Sequence, residues 1–444
     1  MKKISIYIII YVCTVQCLFS SLVVSSMIPR SAIEQKLKES ANYYKKRPGI
    51  YKIKYEHRYS YIHYFADTRK LNIIFCIDSE HPVESTLWSK YYQTVKKDTN
   101  TEFINLVERN EEPTTQYLRY WNGCMLFLRP LLIIFNMEQI YFINQIVLSI
   151  LFLAMFIILF KKSKKIAFIF LLALILVSVW YASFYIEGSV MFYVMLITSM
   201  IAIKMDSNKK KYSKDEVLEK LSKLFLITGI VTTFFDFLTT EILTLFVPLM
   251  LILLIRKEEK RIDNLKDTFK FVIRLCILWF IGYAGMWIAK WVLSSLILHI
   301  NSFEYVKENA ILRINGLQGL SNHEQLYKNV IGRNLFAIPL LYIIKTNFFK
   351  WKVKLILVIV IALLLLFINW KELKNKKYLL ILVFIGIMPY IRYLILANHS
   401  YRHAMFTFRD QIITIMALTY IIIDCLNYKL LFRKIELKKS KKTS

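Results

Sequence analysis

Ten apolar runs, most of them near the roughly 20 residues that cross a hydrocarbon core, divide this chain almost from end to end. The first covers residues 4–27. The others lie at about 138–160, 166–183, 188–205, 221–238, 241–255, 271–297, 352–370, 378–397 and 405–426. In lipid a backbone must satisfy its own N–H and C=O groups, and a helix does so within one segment. The pattern therefore predicts an all-α integral membrane protein with about ten transmembrane helices. A 56% hydrophobic composition and a mean hydropathy of +0.43 agree.

The run "ISIYIIIYVCTVQCLFSSLVVSSM" follows Met-Lys-Lys. It exceeds the apolar core of a cleaved signal peptide, about 7–15 residues, and reads as an uncleaved signal anchor over 1–27. With the amino terminus inside, the connections at 2–3, 161–165, 204–223, 256–270, 371–377 and 429–442 carry thirty Lys and Arg. The short outside connections at 184–187, 239–240 and 398–404 carry one, Arg402. By the positive-inside rule both termini are cytoplasmic, with a basic tail over 427–444, in a multi-pass membrane protein. Half of the 60 basic residues are then topology signals and contacts to anionic lipid, so the net charge of +29 predicts no nucleic-acid partner.

This threading leaves two large extracytoplasmic loops, 28–137 and 298–351, between helices 2–7 (138–297) and helices 8–10 (352–426). Two further apolar stretches do not fit as spans. "GRNLFAIPLLYIIKTNFF" (332–349) contains Pro339, and crossing there would export "KELKNKK", so it reads as re-entrant or interfacial. "CMLFLRPLLIIF" (124–135), with Arg129 and Pro130 inside it, reads as a helix lying on the outer leaflet. "SAIEQKLKESANYYKKR" reads as an amphipathic membrane-surface cover. All seven histidines and most arginines fall outside, whereas the inner loops use mainly lysine.

Candidate chemistry gathers on that side. "NIIFCIDSEHPVESTLWSKYY" (72–92) is a strand-like apolar run ending in Asp78, Glu80, His81 and Glu84. A carboxylate held there could act as a general base, against the plainer reading of a solvated loop. Asp78-Ser-Glu80 alone is only a fragment of a hard-metal shell, and no cofactor motif is present. In "QYLRYWNGCMLFLRPLL", Arg119 and Arg129 either grip a phosphate with the planar guanidinium fork or snorkel to headgroups. Asp236 and Glu241 in "TTFFDFLTTE", and Glu187, sit near membrane level, where an ionisable group is a functional hypothesis or a turn residue. "NHSYRHAMFTFRD" sets His399 and His403 on one helical face beside Arg402 and Arg409. It lacks the glutamate and third ligand of a zinc motif, and anion binding is the sharper reading. Arg392 lies deep enough in its run to need a partner. Arg313, His323, Glu324 and Arg333 belong to the second loop. Cys76 and Cys124 flank a polar region and could pair if it is extracytoplasmic.

The stretches "YLRYWNGCMLFLRPLLIIFN", "FDFLTTEILTLFVPL", "IGRNLFAIPLL" and "NHSYRHAMFTFR" look like motifs of a group of bacterial polytopic membrane proteins. The layout, with a large first outer loop and spans whose outer ends carry Arg and His, resembles the GT-C class of membrane glycosyltransferases. That resemblance implies a polyprenyl-phosphate-linked sugar donor taken from the outer leaflet in cell-envelope glycan assembly. It also implies a catalytic carboxylate in the first outer loop, where Asp78 and Asp67 are the candidates. They stand farther from the first span than the class's usual acid. Asp236 is the third candidate, at the depth of the membrane turn. Arg119, Arg129, Arg392, His399, Arg402, His403 and Arg409 would hold the lipid phosphate. Two rivals share the layout: a transporter or flippase of lipid-linked glycans, which should show discontinuous helices and internal repeats, of which the sequence has no convincing one, and a non-catalytic scaffold.

Overall fold

The computed structural model describes residues 2–307 apart from 56–57, 96–97, 208–211 and 263, then 376–426, with isolated positions between 335 and 371. Side chains at 2–3, 50–55, 58–61, 398 and 402 also lie outside the described set. So do parts of the expected eighth span (352–370), nearly all of the 332–349 segment, Arg313, His323, Glu324, Arg333 and the tail 427–444.

Among the described residues nearly all regular structure is helical, and five helices are long and apolar enough to cross a membrane: Ile4–Ser26, Met137–Lys162, Ile186–Ser207, Leu265–Leu298 and Ala404–Cys425. The sequence dictates their ends. Helix α7 (Met137–Lys162) opens on a capping box in which Asn136 and Gln139 each bind the other's backbone N–H, and closes on Lys161 and Lys162. Phe142, Ile146, Ile150 and Leu153 point outward from it, an apolar face that water would not tolerate. Helix α1 (Lys2–Ser26) and helix α12 (Leu265–Leu298) expose similar faces.

Helices α8 (Lys164–Leu176), α9 (Ile186–Ser207), α10 (Lys214–Phe235) and α11 (Leu243–Glu258) complete a body in which successive helices alternate between two ends. One end is basic: Lys165 reaches Glu258 and Asp424, while Arg256 and Arg261 both bind Asp206. Helices α10 and α12 approach with no side chain between them. A Cβ on Gly229 would overlap the Trp279 carbonyl, and one on Gly282 the Leu226 carbonyl. Small residues allow this backbone-to-backbone contact. The 378–397 run is broken into α13 (Leu379–Gly386) and α14 (Met388–Ile395), followed by α15 (Ala397–Arg402), α16 (Ala404–Thr407), a 3-10 turn (Phe408–Asp410) and α17 (Gln411–Cys425).

The other end carries residues 28–136, folded into a second core with α1 and the loop-side tips of α7, α9 and α10. Helix α2 (Arg30–Lys45) buries Ile33, Leu37, Ala41 and Tyr44 against helix α5 (Thr99–Arg109) and α7, so its apolar face meets protein and not a membrane surface. The strand-like reading of the 72–92 run needs correcting, because Phe65–Phe75 form helix α3. Ile73, Ile74 and Phe75 finish a helix buried on every side, and burial on all faces erases the alternation that separates strand from helix. Among the described residues, strand content is two antiparallel ribbons, Ile50–Tyr55 with Arg58–His63 and Lys90–Tyr91 with Thr115–Gln116, and one isolated bridge between Ile368 and Leu426. Cys76 and Cys124 are free thiols.

Candidate functional site

At the loop end, α3 inserts a carboxylate and an amine three residues apart into the first turn of α9. Asp67 accepts hydrogen bonds from the backbone N–H of Ile186 (2.7 Å) and Glu187 (3.0 Å), and from the Tyr141 hydroxyl (2.9 Å). It thus caps a membrane helix from outside, where the unpaired N–H groups and the helix dipole favour an anion. Burial holds its carboxyl above the usual range, opposed by Lys70 and by the Glu187 and Ile186 amides. Lys70 forms an ion pair with Glu187, neither side chain reaching solvent. The Lys70 amine also lies 3.9 Å from Asp67 and sits over the Phe237 ring at 4.6 Å. Glu187 Oε1 makes no well-formed hydrogen bond among the described residues.

The turn after α10 joins this triad to a second cluster. Asp236 accepts from the N–H of Leu238 (2.8 Å) and Thr239 (3.0 Å) and from the Thr239 hydroxyl (2.7 Å). These bonds hold Leu238 at φ 64°, a left-handed conformation that a branched side chain resists. The strained residue offers its carbonyl to Arg392 Nη2 (2.7 Å) and to His399 Nε2 (2.6 Å). Arg392 grips Glu241 with Nε (2.9 Å) and Nη2 (3.2 Å), and Asp410 stands 3.5 Å from its Nε. Glu241 and Asp410 are thus the partners that the depth of Arg392 demands.

Arg409 closes the circuit, donating to the Tyr185 hydroxyl at 3.1 Å, one residue before α9. His63, at the end of the first ribbon, packs edge-on to Phe406 at 5.0 Å. Burial, then Arg409 and His403, press its pKa from the ordinary 6.5 down to about 3. The His399 and His403 rings stand 4.6 Å apart.

Of the residues singled out in the sequence, Asp67, Glu187, Asp236, Glu241, Arg392, His399, His403 and Arg409 come together here. Asp78 does not. It lies on the exposed turn after α3, where His81 binds it at 2.9 Å and pulls its carboxyl below the usual range. Arg119 stacks on Tyr117 and Tyr120. Arg129 is wholly buried in α6 (Met125–Leu131), donating to the carbonyls of Ser25, Ile74 and Ile28. That guanidinium ties α1 to α3. The backbone of Arg402 ends α15, and its side chain lies outside the described set. Lys70 and Asp410 went unread. The Asp-x-x-Lys spacing of 67–70 was the available signal, hidden while the neighbouring segment read as a strand. Among the described residues no group of three or more His, Cys, Asp or Glu is arranged to hold a metal ion.

Below the triad an apolar cleft of about 510 Å³ opens sideways between α7, α9 and α10. On α9 it runs from Ile186 through Ser189, Tyr193 and Ile197 to Ile201. That is about 22 Å at 1.5 Å per residue. Its first lining residue on α9, Ile186, is the one whose amide Asp67 binds. No family model, curated protein or solved structure matches the chain.

Proposed function

We propose that this protein is a glycosyltransferase that acts at the outer leaflet of a bacterial plasma membrane on a polyprenyl-phosphate-linked sugar, in cell-envelope glycan assembly. In this reading the chain crosses the membrane ten times with both termini cytoplasmic, and its outer face is GT-C-like. The carrying observation is that one helix, α9, lines an apolar cleft along its length and presents a buried acid–base triad at its tip. A lipid carrier has that same division, a long hydrocarbon chain ending in a charged head.

The chemistry requires a carboxylate that takes the acceptor hydroxyl's proton as its oxygen attacks the anomeric carbon. The bond from that carbon to the phosphate oxygen breaks, and cations stabilise the departing lipid phosphate. We assign the base to Glu187. Its Oε1 makes no well-formed hydrogen bond among the described residues, whereas both oxygens of Asp67 are occupied by amides and a tyrosine. Asp67 is then a positioning residue. Arg409, His63 and His403 are the cationic or neutral donors for the phosphate. Asp78, exposed and bound to His81, is set aside as the base.

The test is transfer of labelled sugar from a polyprenyl-phosphate donor by the reconstituted protein. Val190→Trp or Ile197→Trp, which fill the cleft, should raise KM for the lipid donor and leave KM for the acceptor unchanged. Equal effects on both substrates would remove the cleft from the reading. The flippase reading has one observation in its favour, the succession of short helices from α13 to α16. Translocation of a fluorescent lipid-linked glycan, without transfer, would establish it in place of the enzyme.

A further inference from the structure

Three acids, Asp236, Glu241 and Asp410, share one buried cluster in which Glu241 and Asp410 face the Arg392 guanidinium, and only two of the three are provided for. Asp236 receives three hydrogen bonds from its own turn. Glu241 holds both of its oxygens on Arg392. Asp410 is fully buried, yet neither of its carboxyl oxygens has a hydrogen-bond partner among the described residues. The guanidinium has little left to offer: Nη2 also serves the Leu238 carbonyl and Nη1 the Ser400 hydroxyl. At 3.5 Å its Nε is directed at Glu241, which is nearer.

A carboxylate buried from bulk solvent without a hydrogen bond from the surrounding protein is driven to neutralise. A metal ion is not the answer, since the described acids do not converge as a ligand set. We infer that Asp410 is a proton-binding site: it carries a proton in this arrangement and exchanges it with water on the loop side of the protein. This goes beyond the transfer reaction and does not rest on it. Release of H+ leaves a carboxylate at Asp410 whose nearest cation is Arg392. The guanidinium is then drawn from Glu241 and from the Leu238 carbonyl, which also holds His399. The strained turn at Leu238 is thereby coupled to protonation. The groups facing Asp410 that set the equilibrium are Arg392 and Tyr393 from α14, Glu241 and Asp236 from the turn, and Arg409 beside it.

Infrared spectroscopy of the purified full-length protein in lipid nanodiscs reads this proton directly. At neutral pH the wild type should show a protonated-carboxyl stretch that shifts when aspartate carboxyls carry carbon-13 and stays when glutamate carboxyls do. Asp410→Asn should abolish the band, and Asp410→Glu should move it. Should the asparagine variant fail to fold, the isotope shift in wild type and the glutamate variant still decide. No protonated band at neutral pH, a band that follows glutamate labelling, or one that both Asp410 variants leave unchanged would overturn the inference.

Discussion

Lys70 and Glu187 form an ion pair with 0% and 1% of their side-chain surfaces exposed, and it bridges the first loop to the tip of a membrane helix. Such a pair is costly to break from one side and far less costly to remove whole. Lys70→Met alone should lower stability by about 3–5 kcal/mol, because Glu187 is left buried and unpaired. Lys70→Met with Glu187→Leu should recover most of the melting temperature. It should recover no transfer activity, since the proposed base is gone. Recovery of both would reduce the pair to a staple.

The crossing of α10 and α12 makes a second prediction. Gly282→Val sets three carbons where the Leu226 carbonyl lies, and Gly229→Val does the same at Trp279. Overpacking of this kind typically costs about 1–3 kcal/mol, and more where the obstacle is backbone. Either variant should lower the thermal midpoint and weaken cysteine cross-linking between the two helices. An unchanged midpoint for both would mean that the helices are not in contact at these positions.

These features differ in how much of them a reader could take from the chain. The start of α7 was legible because Asn136 and Gln139 stand beside an apolar run, whereas α10 begins at Lys214, within the connection expected over 204–223, on a capping box of Ser213 with Glu216. Arg392 announced a missing partner through its depth. Its partner Asp410 could not be picked out, because 18 residues and a chain reversal separate them. The Asp67–Glu187 contact spans 120 positions, and nothing local encodes it. Asp78 attracted attention by its company of charged neighbours. That company is what an exposed turn collects, whereas the buried acids stand in sparse surroundings with partners from distant elements.

His63 provides a pH test. Its folded pKa lies near 3, below the ordinary 6.5, so between those values the unfolded chain binds a proton that the native state refuses. Stability is therefore full above pH 6.5 and falls as pH drops toward 3. The complete window is worth about 5 kcal/mol at about 1.4 kcal/mol per unit. Denaturation curves across this range should slope downward with acidity in wild type, and His63→Phe should flatten the slope. An unaltered slope would place the titration elsewhere.

The carboxylates should separate by role when each is replaced singly. Asp78→Asn breaks one exposed contact to His81 and should leave both activity and melting temperature at wild-type values. Asp67→Asn turns an amide NH2 toward a backbone N–H of α9, so stability should fall by about 1–2 kcal/mol, the usual value of a lost helix cap. Activity should fall with it, and the conservative Asp67→Glu should rescue part of each. Asp236→Asn should act through its turn, relaxing Leu238 and lowering the affinity for donor more than the rate. Glu187→Gln should reduce kcat by a factor of about 10² to 10⁴, the range for loss of a general base. It also weakens the hold on Lys70, so Glu187→Asp is the control: it keeps the charge but withdraws the carboxylate by one methylene. If Glu187→Asp retains the fold and loses the rate, the carboxylate acts on the substrate through its position. If Glu187→Gln turns over normally while Asp67→Asn does not, the base is Asp67 and Glu187 serves only to neutralise Lys70.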